Sequence, residues 1–167
     1  MQSNKTRILD QRQISRKVTR MAYEIYEHNA TEGTIWLAGI DKMGYRLAEM
    51  LQAQLRIISP LQVELIKLKL DKQAVTQPEV SLDPKVALEG KAVIVVDDVL
   101  NTGKTLLFAL FPFMQAGVSK LETAVLVNRS HKQFPVEADY TGYELATTLS
   151  DHIEVDLTGD EFVAYLH

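Results

Sequence analysis

Two short segments are apolar at almost every position, Thr34–Ile40 (TIWLAGI) and Lys91–Val96 (KAVIVV), and each runs into a glycine-bearing turn followed by a helical repeat. A strand that is apolar on both sides needs a cover on both sides, which is the situation of a parallel sheet between helices. The covering helices are legible. Ile14, Val18, Met21 and Ile25 form one stripe within residues 11–28, behind Asp10 as an N-cap. Leu47, Met50, Leu51 and Leu55 recur at helical spacing within 44–56, and a third helix is expected from Gly103 to Ala116, closed by Gly117. Val63–Leu70 and Leu121–Val127 read as further strands, with shorter β-like runs near Tyr140–Thr147, Ile153–Leu157 and Phe162–Leu166. This alternation predicts an α/β fold with a mostly parallel central sheet flanked by helices. The 167 residues, without internal repeat or linker, suggest one domain over 1–167.

In open sheets of this kind, ligands bind beyond the carboxyl ends of the strands. Two loops are expected there, residues 40–44 and residues 97–105. The second carries the denser chemistry: Val93–Val96 leads into Asp97-Asp98-Val99-Leu100-Asn101-Thr102-Gly103-Lys104-Thr105. Two adjacent carboxylates are costly to hold together unless cations or hydroxyl donors satisfy them. The turn Asn101 to Thr105 then offers hydroxyls and backbone N–H groups at the start of a helix, where a phosphate is favoured. The combination suits a ligand with a phosphate at one end and vicinal hydroxyls beside it. Gly103-Lys104-Thr105 does not complete a nucleotide-binding P-loop, because Asp98 stands where that loop needs glycine. Residues 71–90, with Pro78, Pro84 and Gly90, break the periodic pattern and read either as a binding lid or as a surface insertion.

Charge and composition narrow the class. No cysteine is present, which removes disulfides and thiolate metal sites. No apolar run reaches the ~18 residues of a membrane span, and Met1–Arg7 lacks the apolar stretch of a secretory signal. We therefore expect a cytoplasmic protein with no membrane partner. The net charge of −4 hides an asymmetry: residues 1–20 carry six basic side chains against Asp10 alone, a balance of +5 that leaves −9 elsewhere. On the first helix Arg12, Arg16, Thr19, Arg20 and Tyr23 fall opposite the apolar stripe. Such a face is either an anion or nucleic-acid surface or an ordinary solvated one. Trp36 is expected in the core, and His28, His152 and His167 at the surface.

Val93–Thr105 resembles the phosphoribosyl diphosphate motif of type I phosphoribosyltransferases: an apolar strand, two acidic residues, two apolar residues and a Thr-Gly-x-Thr turn. Ile8-Leu9-Asp10, Thr19-Arg20, Glu24-Ile25, Gly39-Ile40, Ala124–Val127, Arg129, His131, Pro135 and Ala138-Asp139-Tyr140 continue the likeness in order. The family so resembled is the pyrimidine-operon attenuator with uracil phosphoribosyltransferase activity, PyrR.

That resemblance implies a reaction in which a nucleobase, uracil in this family, displaces pyrophosphate from C1 of phosphoribosyl diphosphate with Mg2+ present. It implies that Asn101, Thr102, Gly103, Lys104 and Thr105 bind the 5-phosphate. Asp97 and Asp98 would face the ribose hydroxyls directly or through magnesium-bound water. Ile40, Asp41, Lys42, Met43 and Gly44 would form the pyrophosphate loop, and residues 71–90 a mobile hood. Val127, Asn128 and Arg129 would lie near the base. The ion would be held largely by substrate, without a tight protein cage. Arg16, Thr19 and Arg20 match a region through which the family binds structured RNA, so RNA is a second expected partner and homodimers or higher homo-oligomers are expected. An RNA-binding regulator that senses nucleotides with little or no catalysis is the alternative function. The chain differs from the family in reading Asp41-Lys42-Met43-Gly44 where Lys-Thr-Arg-Gly is typical, Lys69-Leu70-Asp71 where an Arg-Asp-Asp run is common, and Tyr23 where a histidine is common. Asn101 stands where many purine-type relatives have aspartate, which favours a pyrimidine base.

Overall fold

A computed structural model of the chain describes residues 4–70, 76 and 79–167. The elements run β1 (Thr6–Leu9), α1 (Gln11–Asn29), β2 (Thr34–Ile40), α2 (Asp41–Ile58), β3 (Gln62–Lys69), β4 (Ser81–Asp83), β5 (Ala92–Leu100), α3 (Lys104–Ala116), β6 (Lys120–Asn128), β7 (Tyr140–Glu144), β8 (Ile153–Asp156) and β9 (Val163–Leu166). Six strands form the main sheet in the order β4-β3-β2-β5-β6-β7, and β1-β9-β8 form a small separate one. Strands β3, β2, β5, β6 and β7 are mutually parallel, and β4 is antiparallel at the edge. The expected α/β architecture with a mostly parallel sheet is what the chain adopts.

The sheet divides the core in two. Ile35, Leu37, Ile94, Val96, Ala124 and Leu126 point to one side, against Ile14, Val18, Met21 and Ile25 of α1 and Leu47, Leu51 and Leu55 of α2. Ala38, Ile40, Val93, Val95 and Val125 point to the other, against Leu106, Ala109 and Phe113 of α3. The strands read as unbroken apolar runs because both faces are covered. Asp10 caps α1 as expected: its carboxylate accepts the Gln13 backbone N–H at 2.8 Å, while Gln13 Oε1 accepts the Asp10 N–H at 2.9 Å. That reciprocal pair satisfies two donors left open by the helix start.

Several boundaries differ from the sequence reading, each for a local reason. Residues 41–44 are the first turn of α2 rather than a loop; Asp41 takes a left-handed φ of 49° and lets β2 pass into α2 with no intervening residue. Asp97 and Asp98 lie within β5, not beyond it, because β6 keeps pairing as far as Leu100↔Asn128. β7 stops at Glu144. Within the irregular 71–90 stretch, Ser81–Asp83 pair with Lys67–Lys69; residues 71–75, 77 and 78 of the expected hood lie outside the described residues. Trp36 is half-buried against the second cluster, and His28, His152 and His167 are exposed.

Candidate active site

The strand order places the reversal of the sheet between β2 and β5. From there the chain proceeds to β3 on one side and to β6 on the other, so the turns leaving β2 and β5 flank one crevice at the carboxyl ends. The last pair between these strands is Gly39↔Val96, whereas β5 continues through Asp97–Leu100. The projecting end of β5 thus borders the crevice.

Asp97 is 3% exposed, and its Oδ1 accepts the Asp98 backbone N–H at 2.9 Å. Asp98 is more open, and its carboxylate makes no hydrogen bond among the described residues. Gly44 seats α2 against this point: a Cβ there would lie 2.6 Å from the Val96 carbonyl oxygen and 3.2 Å from Asp97 Cα. The start of α2 therefore approaches the acidic strand end as closely as backbone allows.

A pocket of about 60 Å³ opens beside Asp97, lined by Asn101, Thr102, Gly103 and Thr105. Gly103 turns the chain into α3 with φ 91°, a conformation that side chains resist, and a Cβ there would strike Val136 Cγ1 at 2.6 Å. Thr102 anchors the turn, since its carbonyl accepts the N–H groups of Gln133 and Phe134 at 2.8 and 3.1 Å, and its Oγ1 accepts the Lys104 N–H at 3.3 Å. These bonds pin the turn, and the pocket opens at the start of α3, where the first N–H groups lack helical partners.

Across the crevice a second cavity, of about 560 Å³, is bounded by Asp41 and Lys42 of α2, Lys67 and Lys69 of β3, and Glu79 and Ser81. Of the five residues expected in the pyrophosphate loop, Asp41 and Lys42 border it. Ile40 is fully buried, Met43 packs against the α1-side core, and Gly44 meets Asp97. Lys67 was missed in the sequence, although lysines two apart in an apolar strand are a legible signal, because they share one face.

At the end of β6, Val127 is fully buried in the core. Asn128 Oδ1 accepts the Ser130 N–H at 2.9 Å. Arg129, 9% exposed, donates from Nε to Thr147 Oγ1 at 2.8 Å, from one terminal nitrogen to the Thr148 carbonyl at 3.0 Å, and from the other to Asn101 Oδ1 at 3.3 Å. Thr147 and Thr148, which periodicity could not single out, are the partners that hold Arg129. Asp151 holds the Thr148 N–H at 2.7 Å, and that bond keeps its carboxyl below the usual range.

Three comparisons bear on this geometry. The model of the phosphoribosyl transferase domain matches residues 4–161. Among curated proteins, Bifunctional protein PyrR of Pelotomaculum thermopropionicum is 36% identical over 177 residues, covering 99% of this chain and 98% of its own. The protein of the same name from Streptococcus thermophilus is 38% identical, covering 92% and 91%. The chain belongs to the PyrR group of phosphoribosyltransferases. Solved phosphoribosyltransferases share its fold: a hypoxanthine-guanine enzyme of Bacillus anthracis superposes with a TM-score of 0.77 at 20% identity, covering 96% of this chain and 97% of that one. The hypoxanthine phosphoribosyltransferase of Trypanosoma cruzi gives 0.75 at 18% identity, covering 84% and 81%.

The basic face expected on α1 of this phosphoribosyltransferase is smaller than its sequence suggests. Arg20 donates to Glu24 and to the carbonyls of Thr141 and Gly142, at 2.6, 3.1 and 2.7 Å, tying α1 to β7. Thr19 bonds back to the Ser15 carbonyl at 3.0 Å. Lys17 lies over the Tyr143 ring, and burial followed by the charge of Arg20 lowers its pKa. Arg12 and Arg16 are exposed, make no ion pair among the described residues, and flank a groove that also includes Gln11, Ser15 and Thr19. Among the described residues no helix is long and apolar enough to cross a membrane.

Proposed function

We propose that the chain transfers the 5-phosphoribosyl group of phosphoribosyl diphosphate to uracil, giving UMP and pyrophosphate. The observation that carries this reading is the pocket beside Asp97, where a buried carboxylate and a rigid hydroxyl-bearing turn at a helix start stand side by side. The turn Asn101–Thr105 takes the 5-phosphate through backbone N–H groups, Thr102 and Thr105. Asp97 and Asp98 accept hydrogen bonds from the ribose hydroxyls. Lys42, Lys67 and Lys69 supply positive charge to the pyrophosphate at the opposite side of the crevice. In the reaction the C1–O bond breaks with its electron pair on pyrophosphate, the C1–N1 bond forms, and the uracil N1 proton leaves with the pyrophosphate.

The side chains contribute by position and by charge placed where charge develops. The lysines meet the negative charge that grows on the leaving oxygen, and the carboxylates face the cationic sugar ring. Asp97 and Asp98 are hard oxygen donors suited to magnesium, and no cluster of three ligating side chains occurs among the described residues. A pair of this kind would hold the ion through water, with substrate oxygens completing its shell. When bound there, magnesium would neutralise charge on the diphosphate.

Titration with phosphoribosyl diphosphate and UMP tests the site. Binding of both, with competition between them, is the expected result; binding of neither overturns the reading.

A second reading, regulation through structured RNA, is favoured by the exposed Arg12 and Arg16 beside their groove. Both groups suit phosphate contacts, which position a protein without reading sequence. Binding to a hairpin RNA that weakens steeply with salt is the expected behaviour.

A further inference from the structure

The carboxamide of Asn101 has a fixed polarity. Its Oδ1 accepts from Arg129 at 3.3 Å. A guanidinium carries five donors and no acceptor, so the oxygen end of the amide must face it and the NH2 end must face away. Arg129 cannot easily turn, because Nε and its other terminal nitrogen are held by Thr147 and Thr148. Its backbone N–H is bound as well, to the Leu100 carbonyl at 3.0 Å. Ser130 follows with φ 56° and donates to Asn128 Oδ1, which fixes the backbone where the chain leaves β6. Asn101 lines the pocket beside Asp97, and its Nδ2 has no hydrogen-bond partner among the described residues.

We infer that Asn101, oriented by Arg129, is a specificity-determining donor that requires a hydrogen-bond acceptor on the base, a pyrimidine ring carbonyl oxygen. The inference rests on the proposed function of the site. Arg129 is in this account a positioning residue, since the nitrogens that could reach a base are engaged by Asn101, Thr147 and Thr148. Asn101 differs from the rest of the turn in this tether: Thr102 is anchored to Gln133 and Phe134, whereas Asn101 alone is drawn toward the segment at 147–148. Through Arg129 the phosphate turn is thus joined to the segment at 147–148. Asn101 is half-buried in the free site, and a base without an acceptor at that place would displace water from the donor and return no hydrogen bond.

The test compares two ligands that differ in the base. Affinities of UMP and ribose 5-phosphate are measured by calorimetry for the parent, Asn101→Leu, Arg129→Met and the double variant. Asn101→Leu should weaken UMP roughly tenfold, the effect of one unmade hydrogen bond, and leave ribose 5-phosphate within about twofold. Arg129→Met should weaken UMP selectively as well, and adding it to Asn101→Leu should produce no further selective loss, the mark of two residues acting as one. If Arg129→Met does not fold, Arg129→Lys keeps the charge without the fork and should show a smaller loss in the same direction. Equal weakening of both ligands by Asn101→Leu overturns the inference, because the donor would then serve the phosphate; so does unchanged UMP affinity. A parent that binds neither ligand overturns the proposed function itself, and the inference with it.

Discussion

Gly44→Ala separates the stability of this fold from the competence of its site. An added Cβ would lie 2.6 Å from the Val96 carbonyl oxygen, where C···O contacts normally begin near ~3.3 Å. The start of α2 and the end of β5 must therefore part by roughly 0.7 Å, the difference between that contact and an ordinary one. Such overpacking costs about 1–3 kcal/mol, while alanine in a helix is about 1 kcal/mol better than glycine. The net loss of stability should thus be no more than about 2 kcal/mol, the upper cost less the helical gain. The site has no such compensation, because the carboxylate displaced is that of Asp97, 3.4 Å from the same Cβ at Oδ1. Misplacement of that order costs up to ~100-fold in turnover. Thermal unfolding and kcat/KM for phosphoribosyl diphosphate, measured side by side, should show a small shift in Tm and a loss of roughly 10- to 100-fold in kcat/KM. A variant that keeps kcat/KM within twofold would refute the reasoning, since the approach of α2 to Asp97 would then not matter to the site.

Asp97→Asn combined with Asp98→Asn should abolish productive binding of phosphoribosyl diphosphate while leaving circular dichroism unchanged; an unaltered titration would remove both residues from the site. Phe113→Ala, at a fully buried position of α3, should cost about 3–5 kcal/mol in denaturant unfolding, and a loss under 1 kcal/mol would place that side chain outside the core. Arg12→Glu with Arg16→Glu should weaken hairpin RNA binding and reduce its salt dependence without altering uracil turnover; equal loss of turnover would deny the two faces separate roles. The Asp151 carboxyl, held down by the Thr148 N–H, should titrate below its usual 3.8 in an NMR experiment. Because its folded pKa is depressed, the order it lends to the Thr148–Asp151 turn is complete above 3.8 and is lost as pH falls through the lower folded value. A midpoint at or above 3.8 would break that link.

What could be read from the chain follows from how local each signal is. Thr34–Ile40 and the start of β5 were recognisable because both faces of a central parallel strand are buried, which leaves an apolar run with no alternation. The stripe Ile14, Val18, Met21, Ile25 behind Asp10 likewise reports one buried helix face. β1 (Thr6–Leu9) and β4 (Ser81–Asp83) escaped notice because three or four residues carry no period, and their strand character comes from partners far away, β9 and β3. Residues 40–44 read as a turn because Gly39 and Gly44 bracket them, yet the left-handed Asp41 lets the helix begin at once. The acidic pair and the turn Asn101–Thr105 were legible as a contiguous motif. Arg129 is expected near the base from the resemblance alone, but its partners Asn101, Thr147 and Thr148 lie 28, 18 and 19 positions away, so its role as a tether belongs to the tertiary structure. Arg20 was counted with the exposed basic face, whereas the carbonyls of Thr141 and Gly142, which claim it, carry no mark in sequence.

The most direct test of the central claim is pyrophosphate release from phosphoribosyl diphosphate and magnesium, with uracil, hypoxanthine, guanine and xanthine supplied one at a time. The account predicts release that depends on uracil and is absent with the purines. Release with a purine in place of uracil, or no release with any base, would contradict it.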